Sequence, residues 1–330
     1  MKNFFKFNLT GNKLLPIWLL FIFLFIIPYV YVQFQIQGLN QHHTHVPGEA
    51  MSRFGSIMQW YGVMLLLLII EESIMFFIVK LSISGIEFKE KSFEFAGKFS
   101  EFISIIIPGF LLTIITLGIY GPWFMTKIYK FYAKSSSHDS NSVEFKSKGS
   151  DLFVIILLTI IPFFIIITGI TVFAIIAAKR AAIPVESSTP TNVIQAITMG
   201  LLFFVILIPY MYYVYKWMVN FKFKGYSIQW ETSFWSSAAT IALQVLLGIV
   251  TFGIYMPVAS LKLYQYFAER TIARSETLVK KFGYDIEPTN DFLFIWGQSL
   301  LSIVTLGIYY PWAFCKIAER VLGKTYSEDI

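Results

Sequence analysis

The chain has 330 residues, of which 56% are hydrophobic, 18% aromatic and only 14% charged, whereas a soluble domain carries about 25% charged residues. That composition excludes an ordinary soluble domain and places the chain in the membrane class. Its net charge of +6 does not point to nucleic acid, since basic residues gathered beside apolar spans are what the positive-inside rule predicts; a single cysteine, Cys315, excludes an intramolecular disulfide.

Lys2, Lys6 and Lys13 precede the first apolar stretch, Leu14 to Gly48. The charge order resembles a signal sequence, but the run is long and no small-residue cleavage site follows, so an uncleaved first span is expected. The loop NQHHTHVPGE then gathers His42, His43 and His45, imidazoles dense enough to hold zinc, copper or nickel, unless the loop is merely solvated. The second stretch, Phe54 to Ile70, runs into Glu71 and Glu72, with Lys80 beyond them. Carboxylates within an apolar helix are costly and read as a proton or cation site. The competing reading ends the helix at Ile70 and leaves the acids in headgroup water.

The third stretch, Phe102 to Thr126, contains the phrase TLGIYGPW, Thr116 to Trp123. Gly118 can end one helix and Pro122 begin another, because proline lacks an N–H and is tolerated at the first helical position. The new helix is amphipathic, with Lys127, Lys130 and Lys134 along one side, as suits a helix lying at the headgroups. A polar loop, AKSSSHDSNS, carries His138. Two further stretches follow, Leu152 to Ala178 and Ser187 to Tyr215, separated by VESSTPTN. Thr232 to Leu261 contains Gln244 and a second phrase, TFGIYMPV, with Gly253, Tyr255 and Pro257; Phe292 to Cys315 contains a third, TLGIYYPW, with Gly307, Tyr309 and Pro311. A lone Gln in such a helix more often bonds a neighbouring helix than a substrate.

Aligned on itself, the chain matches Phe7 and Gly11 with Phe145 and Gly149, Lys80 with Lys216, and Thr116, Gly118, Tyr120, Pro122 and Lys127 with Thr251, Gly253, Tyr255, Pro257 and Lys262. The expectation is an all-α polytopic transmembrane protein with an internal duplication: two three-segment repeats, 1–141 and 142–283, and a partial third, 284–330. The Phe…Gly entry, the repeated phrase and the trailing basic helix resemble the YjgN-like family of bacterial inner-membrane proteins, a domain of unknown function. The second copy departs from the pattern, with Val258 where the others have Trp123 and Trp312. The resemblance implies a multi-pass inner-membrane protein and brings no catalytic residues.

If all seven stretches span, Lys and Arg divide fourteen inside to twelve outside; if the three phrase segments enter and leave on one side, only Arg53, Lys179 and Arg180 of the 26 lie outside. Length favours spanning, and charge favours re-entry. No nucleophile elbow, His-Glu-x-x-His or phosphate-binding glycine loop is present, so neither an enzyme nor a cofactor is expected. The first functional reading is a channel or secondary transporter, with Glu71, Glu72, Gln244, Tyr120, Tyr255 and Tyr309 along the pathway. The second is a scaffold whose Lys127, Lys262 and Lys316 hold anionic headgroups. The expected partners are the bilayer, its anionic lipids and a second copy of the chain as a homo-oligomer.

Overall fold

The computed structural model describes residues 1–41, 47–180, 200 and 206–330. The all-α expectation is wrong: among the described residues, helices alternate with eleven short strands that form one antiparallel sheet. These strands, two to six residues long, were hidden by the hydropathy of the helices beside them. Their own signal is period-two alternation, as in NFFKF and YSIQW, where exposure alternates residue by residue.

The elements repeat one plan. An ingoing strand leads to a pair of helices, the chain returns as an outgoing strand beside the first, and a turn delivers the next ingoing strand. Strand β1 (Asn3–Phe7) leads to α1 (Gly11–Phe21), a π turn (Ile22–Ile26), α2 (Ile27–Gln41) and α3 (Pro47–Ser84), then to β2 (Ile86–Phe88). The π turn lies just before Pro28, where the missing N–H and the ring would disturb regular α geometry. Next come β3 (Lys91–Phe95), α4 (Phe99–Ile115), α5 (Gly121–Ser135) and β4 (Ser136–His138). Strands β5 (Asn141–Ser142) and β6 (Glu144–Phe145) precede α6 (Gly149–Arg180), helix α7 over residues 206–218, and β7 (Asn220–Phe223). The last two units are β8 (Tyr226–Trp230), α8 (Phe234–Val250), α9 (Met256–Glu269) and β9 (Thr271–Arg274), followed by β10 (Val279–Tyr284), α10 (Pro288–Val304), α11 (Tyr310–Gly323) and β11 (Thr325–Asp329).

Every ingoing strand pairs with its own outgoing strand and with the strand across the preceding turn, and β1 pairs with β11, Asn3 opposite Ser327. The sheet therefore closes into a ring. Its seam is the segment 141–145, where β5 pairs with β4 and, one residue later, β6 pairs with β7. Val143 bridges the switch by donating its N–H to Ser136 O at 3.0 Å. Topology puts all the helices at one end of the ring and the turns at the other. Three turns are two-residue links with both central residues at positive φ (Lys89 and Glu90, Asp139 and Ser140, Lys224 and Gly225), the twist that suits a tight β-hairpin.

At the helical end, each ingoing strand closes on a buried aromatic, and a helix begins four residues later. Phe7, Phe95, Phe145, Trp230 and Tyr284 are all buried, and they precede Gly11, Phe99, Gly149, Phe234 and Pro288. Gly11 and Gly149 are needed for close approach: a Cβ on Gly11 would lie 2.5 Å from the Trp312 ring, and one on Gly149 2.7 Å from Trp123. Val258 breaks the tryptophan pattern where the next helix opens on Pro288 instead of glycine. The divisions expected at 141 and 283 fall within β5 and β10, so one ring runs through all three segments.

Among the described residues, three helices are long and apolar enough to cross a membrane, Gly11–Leu39, Phe54–Ser84 and Gly149–Phe173. The three phrase segments instead fold back. Phe102 of α4 packs on Phe131 of α5, and Arg320 of α11 reaches Asp291 at the start of α10, as antiparallel limbs require. These 17-residue outgoing limbs are about 25 Å long.

Asp139 fastens the turn end across the seam, accepting from Lys91 on β3 and from Lys224 Nζ, in the β7–β8 turn, at 2.9 Å. Hydrogen bonds from these two lysines hold its carboxyl down at about 2, against an ordinary 3.8. A carboxylate with a depressed folded pKa contributes fully above its unfolded value and loses that contribution as pH falls towards the folded one. The seam is therefore expected to loosen between pH 4 and pH 2, seen as faster amide exchange over 141–145, with Asp139→Asn exchanging equally fast at neutral pH. Acid-insensitive exchange in the unsubstituted protein would show that the clasp carries no load.

Candidate functional site

The three helix–helix apices share one geometry. In the first, Thr116 ends α4 and Leu117 takes the left-handed conformation at φ +49°, followed by Gly118 at +91°. Gly118 N donates to Thr113 O at 2.7 Å and Leu117 N to Ile114 O at 3.0 Å, the paired bonds of a Schellman ending. Ile119 N returns to Thr116 O and Gly121 N to Gly118 O. Thr116 Oγ1 accepts from Tyr120 N at 3.0 Å while donating to Leu112 O at 2.7 Å. Pro122 has no N–H to satisfy. Every backbone N–H from Thr116 to Gly121 is thus paired inside the turn.

Thr251 and Thr305 accept from Tyr255 N and Tyr309 N at the same 3.0 Å, and Gly253 and Gly307 donate to Gly248 O and Ser302 O at 2.8 and 2.7 Å. The phrase is thus a recipe for reversing a helix without leaving a donor free. Hydrocarbon imposes that condition, because an unsatisfied backbone group there costs several kcal/mol. The outermost side chains are apolar and bare: Leu117 is 93% exposed, Phe252 96% and Leu306 90%. A large residue in the left-handed region costs about 1–2 kcal/mol, where glycine would cost less. Three such residues at one place imply a compensating environment for the side chain.

Neighbouring helices support two of the apices. Trp18 Nε1 of α1 donates to Gly307 O at 2.8 Å, and Trp296 Nε1 of α10 to Ile254 O at 2.8 Å. Below each apex, a lysine lies over the phrase tyrosine: Lys127 is 5.5 Å from the Tyr120 ring centre, Lys262 5.7 Å from Tyr255 and Lys316 5.6 Å from Tyr309. Each lies one and a half to two turns into its return helix, about 10 Å below the apex. Lys316 also donates to Tyr309 OH, which in turn donates to Gln298 Oε1 at 3.0 Å.

The phrase residues sit in three separate hairpins, and no hydrogen bond or ring contact joins Tyr120, Tyr255 and Tyr309 to one another among the described residues. Gln244 occupies in α8 the place of Gln298 in α10, eleven residues before the tyrosine; it is buried, and its Oε1 has no partner. The corresponding residue of α4 is Gly109, whose space is filled by Phe124, while Ala259 and Ala313 stand where Phe124 would be. The interior volume is thus distributed differently between facing limbs. Glu71 and Glu72 lie half-buried within α3, eight residues from Lys80. Neither has an ion-pair partner among the described residues, and Ile69 and Phe76 on the same helix pack into the aromatic cluster around Phe102. His42, His43 and His45 lie outside the described residues. Sequence reasoning missed the threonine acceptors Thr116, Thr251 and Thr305, whose signal is their constant place four residues before each phrase tyrosine.

A family described as "Bacterial protein of unknown function (DUF898)" matches residues 2–287. The chain is 31% identical over 93 residues to "Inner membrane protein YjgN" of Salmonella typhimurium, a match covering 26% of this chain and 24% of that protein. No solved structure matches.

Thr305→Val removes the acceptor for Tyr309 N–H and is expected to cost about 1–3 kcal/mol, measured as unfolding of the detergent-solubilised protein. Thr305→Ser keeps the oxygen and should retain most of that stability. Equal losses in the two variants would show that keeping the oxygen does not preserve the stability, against a role for the Tyr309 N–H acceptor.

Proposed function

The chain belongs to the DUF898 family of bacterial proteins of unknown function, and from that membership and the hairpin geometry we propose that it is a multi-pass inner-membrane protein that organises lipid in the leaflet beside its ring. The relative named as an inner membrane protein supports the location, as do the three apolar helices. All but three of the 26 Lys and Arg residues lie towards the ring, which favours a cytoplasmic ring.

The observation that carries the lipid role is depth. From apex to lysine each short hairpin spans about 10 Å, which fits within one leaflet of a core roughly 30 Å thick. The long helices cross; the short hairpins wedge into one side. Lys127, Lys262 and Lys316 then lie at headgroup level, with their stems along the hairpin and their charges available to anionic lipid. The apical Leu117, Phe252 and Leu306 gain a hydrocarbon environment, worth about 1.5–3 kcal/mol for each buried side chain, which offsets their backbone strain.

Two measurements test this. A fluorophore on Leu306→Cys, in a Cys315→Ser background, should be quenched most by lipids brominated near the middle of the acyl chain. Quenching that is strongest from headgroup-level bromines would refute the depth. The triple variant Lys127→Ala, Lys262→Ala, Lys316→Ala should co-purify with less than half the anionic lipid of the unsubstituted protein; undiminished lipid would remove the headgroup role.

A second reading, transport of a small ion or solute, is favoured by Glu71 and Glu72, two carboxylates without an ion-pair partner among the described residues, in a helix long enough to span. Proton or cation flux in reconstituted vesicles that falls at least tenfold in Glu71→Gln or Glu72→Gln would support it over the lipid reading. No flux in the unsubstituted protein would leave the lipid reading standing.

A further inference from the structure

The interior of the strand ring is hollow. Alternation along the strands turns Phe5, Phe88, Phe93, Phe221, Phe223 and Phe282 onto a cavity of about 480 Å³, within the roughly 300–1,000 Å³ range of small-molecule sites. This space lies beyond the membrane-facing hairpins and plays no part in the lipid reading.

One polar side chain in the wall is incompletely satisfied. His138, on β4, is 3% exposed and lines the cavity. Its Nε2 lies 2.9 Å from Phe88 O and 3.2 Å from Lys91 O. Both are acceptors, so Nε2 carries the hydrogen, and in the neutral ring Nδ1 is left with a lone pair. That Nδ1 is buried and without a partner, in a wall otherwise built largely of phenylalanine. A buried acceptor left unpaired costs about 1–3 kcal/mol, and a ligand that donates a hydrogen there removes the cost.

Charge selects the ligand's other end. Lys89, Lys224 and Lys280 line the same cavity, and no carboxylate does; Lys224 is paired with Asp139 and Lys280 with Asp329, which leaves Lys89 as the lining lysine without an ion-pair partner among the described residues. Lys89 and Lys224 belong to turns at the end of the ring facing away from the helices. An apolar interior, an imidazole needing a donor and a lysine-lined mouth together fit an acid with an apolar body.

We propose that the ring binds a medium-chain monocarboxylic acid. Its hydrocarbon chain lies among the phenylalanines, one carboxyl oxygen shares its proton with His138 Nδ1, and the other oxygen faces Lys89. Phe93, whose ring centre is 4.7 Å from that of His138, positions the imidazole and walls the chain.

The test uses the full-length protein in phosphatidylcholine nanodiscs, titrated with dansyl-undecanoic acid and with its methyl ester, against empty nanodiscs. The acid should give saturable fluorescence enhancement, displaced by unlabelled dodecanoic acid, and the ester should bind at least tenfold more weakly. Phe223→Trp and Phe282→Trp, which fill the cavity from two strands, should each weaken the acid at least tenfold; two sites guard against one variant failing to fold. His138→Phe should abolish the discrimination between acid and ester. Signal no greater than that of empty nanodiscs, or binding that survives both filling variants, would overturn the site. Acid and ester binding equally well to the unsubstituted protein would overturn the role of His138 and the carboxylate assignment.

Discussion

A helical hairpin returns the chain to the side it left, and everything in this molecule follows from what that return requires. The two ends emerge side by side, antiparallel, with their backbone groups no longer paired within a helix. Unpaired groups must find partners, and the nearest are those of the other limb. Each hairpin thus makes a two-stranded ribbon at its base, as β3 with β4 or β8 with β9. Short turns join ribbon to ribbon, and five ribbons among the described residues are enough to meet end to end.

The same need for satisfied donors governs the opposite end of the short hairpins, where the lipid reading puts hydrocarbon in place of water. At the bases strands suffice. At the apices the N–H groups turn inward to Thr113, Thr116 and Gly118, and proline supplies a residue with nothing to satisfy. One physical rule thus gives two kinds of structure, a ring and a closed turn. At the ring's seam the rule is met by a backbone bond, Val143 N–H to Ser136 O, and the lysine clasp on Asp139 fastens the turns on either side of it.

Much of the helical part was legible in the sequence, for an identifiable reason. Apolar stretches of twenty residues and a thrice-written phrase are strong, local signals, and the asymmetric placement of Arg53, Lys179 and Arg180 already favoured segments that fold back. The ring was not legible as read. Its strands are two to six residues long, and their apolar positions merge with the helices that follow. Phe7 and Phe145 were noticed as repeat markers before glycine, but not as the inward-facing ends of strands. His138 looked like a stray residue in a serine-rich loop; only pairing of β4 with β3, which places Phe93 opposite it, brings it inside. Gln244 is visible as a lone polar residue, but that its Oε1 stays without a partner where Gln298 accepts from Tyr309 OH is set by packing that no local window spans.

Closure of the ring also sets an order of events during synthesis. Asn3 and Phe4 pair with Ser327 and Tyr326, so β1 is joined on one side by a strand made long after it. Until residues 325–329 emerge, β1 has an open edge in a compartment crowded with nascent chains. Its outward-facing Lys2 and Lys6 are the charges that discourage wrong edge pairing. Completion of the sheet is thus a late, long-range step, and it requires every hairpin between β1 and β11 to have folded back to the ring.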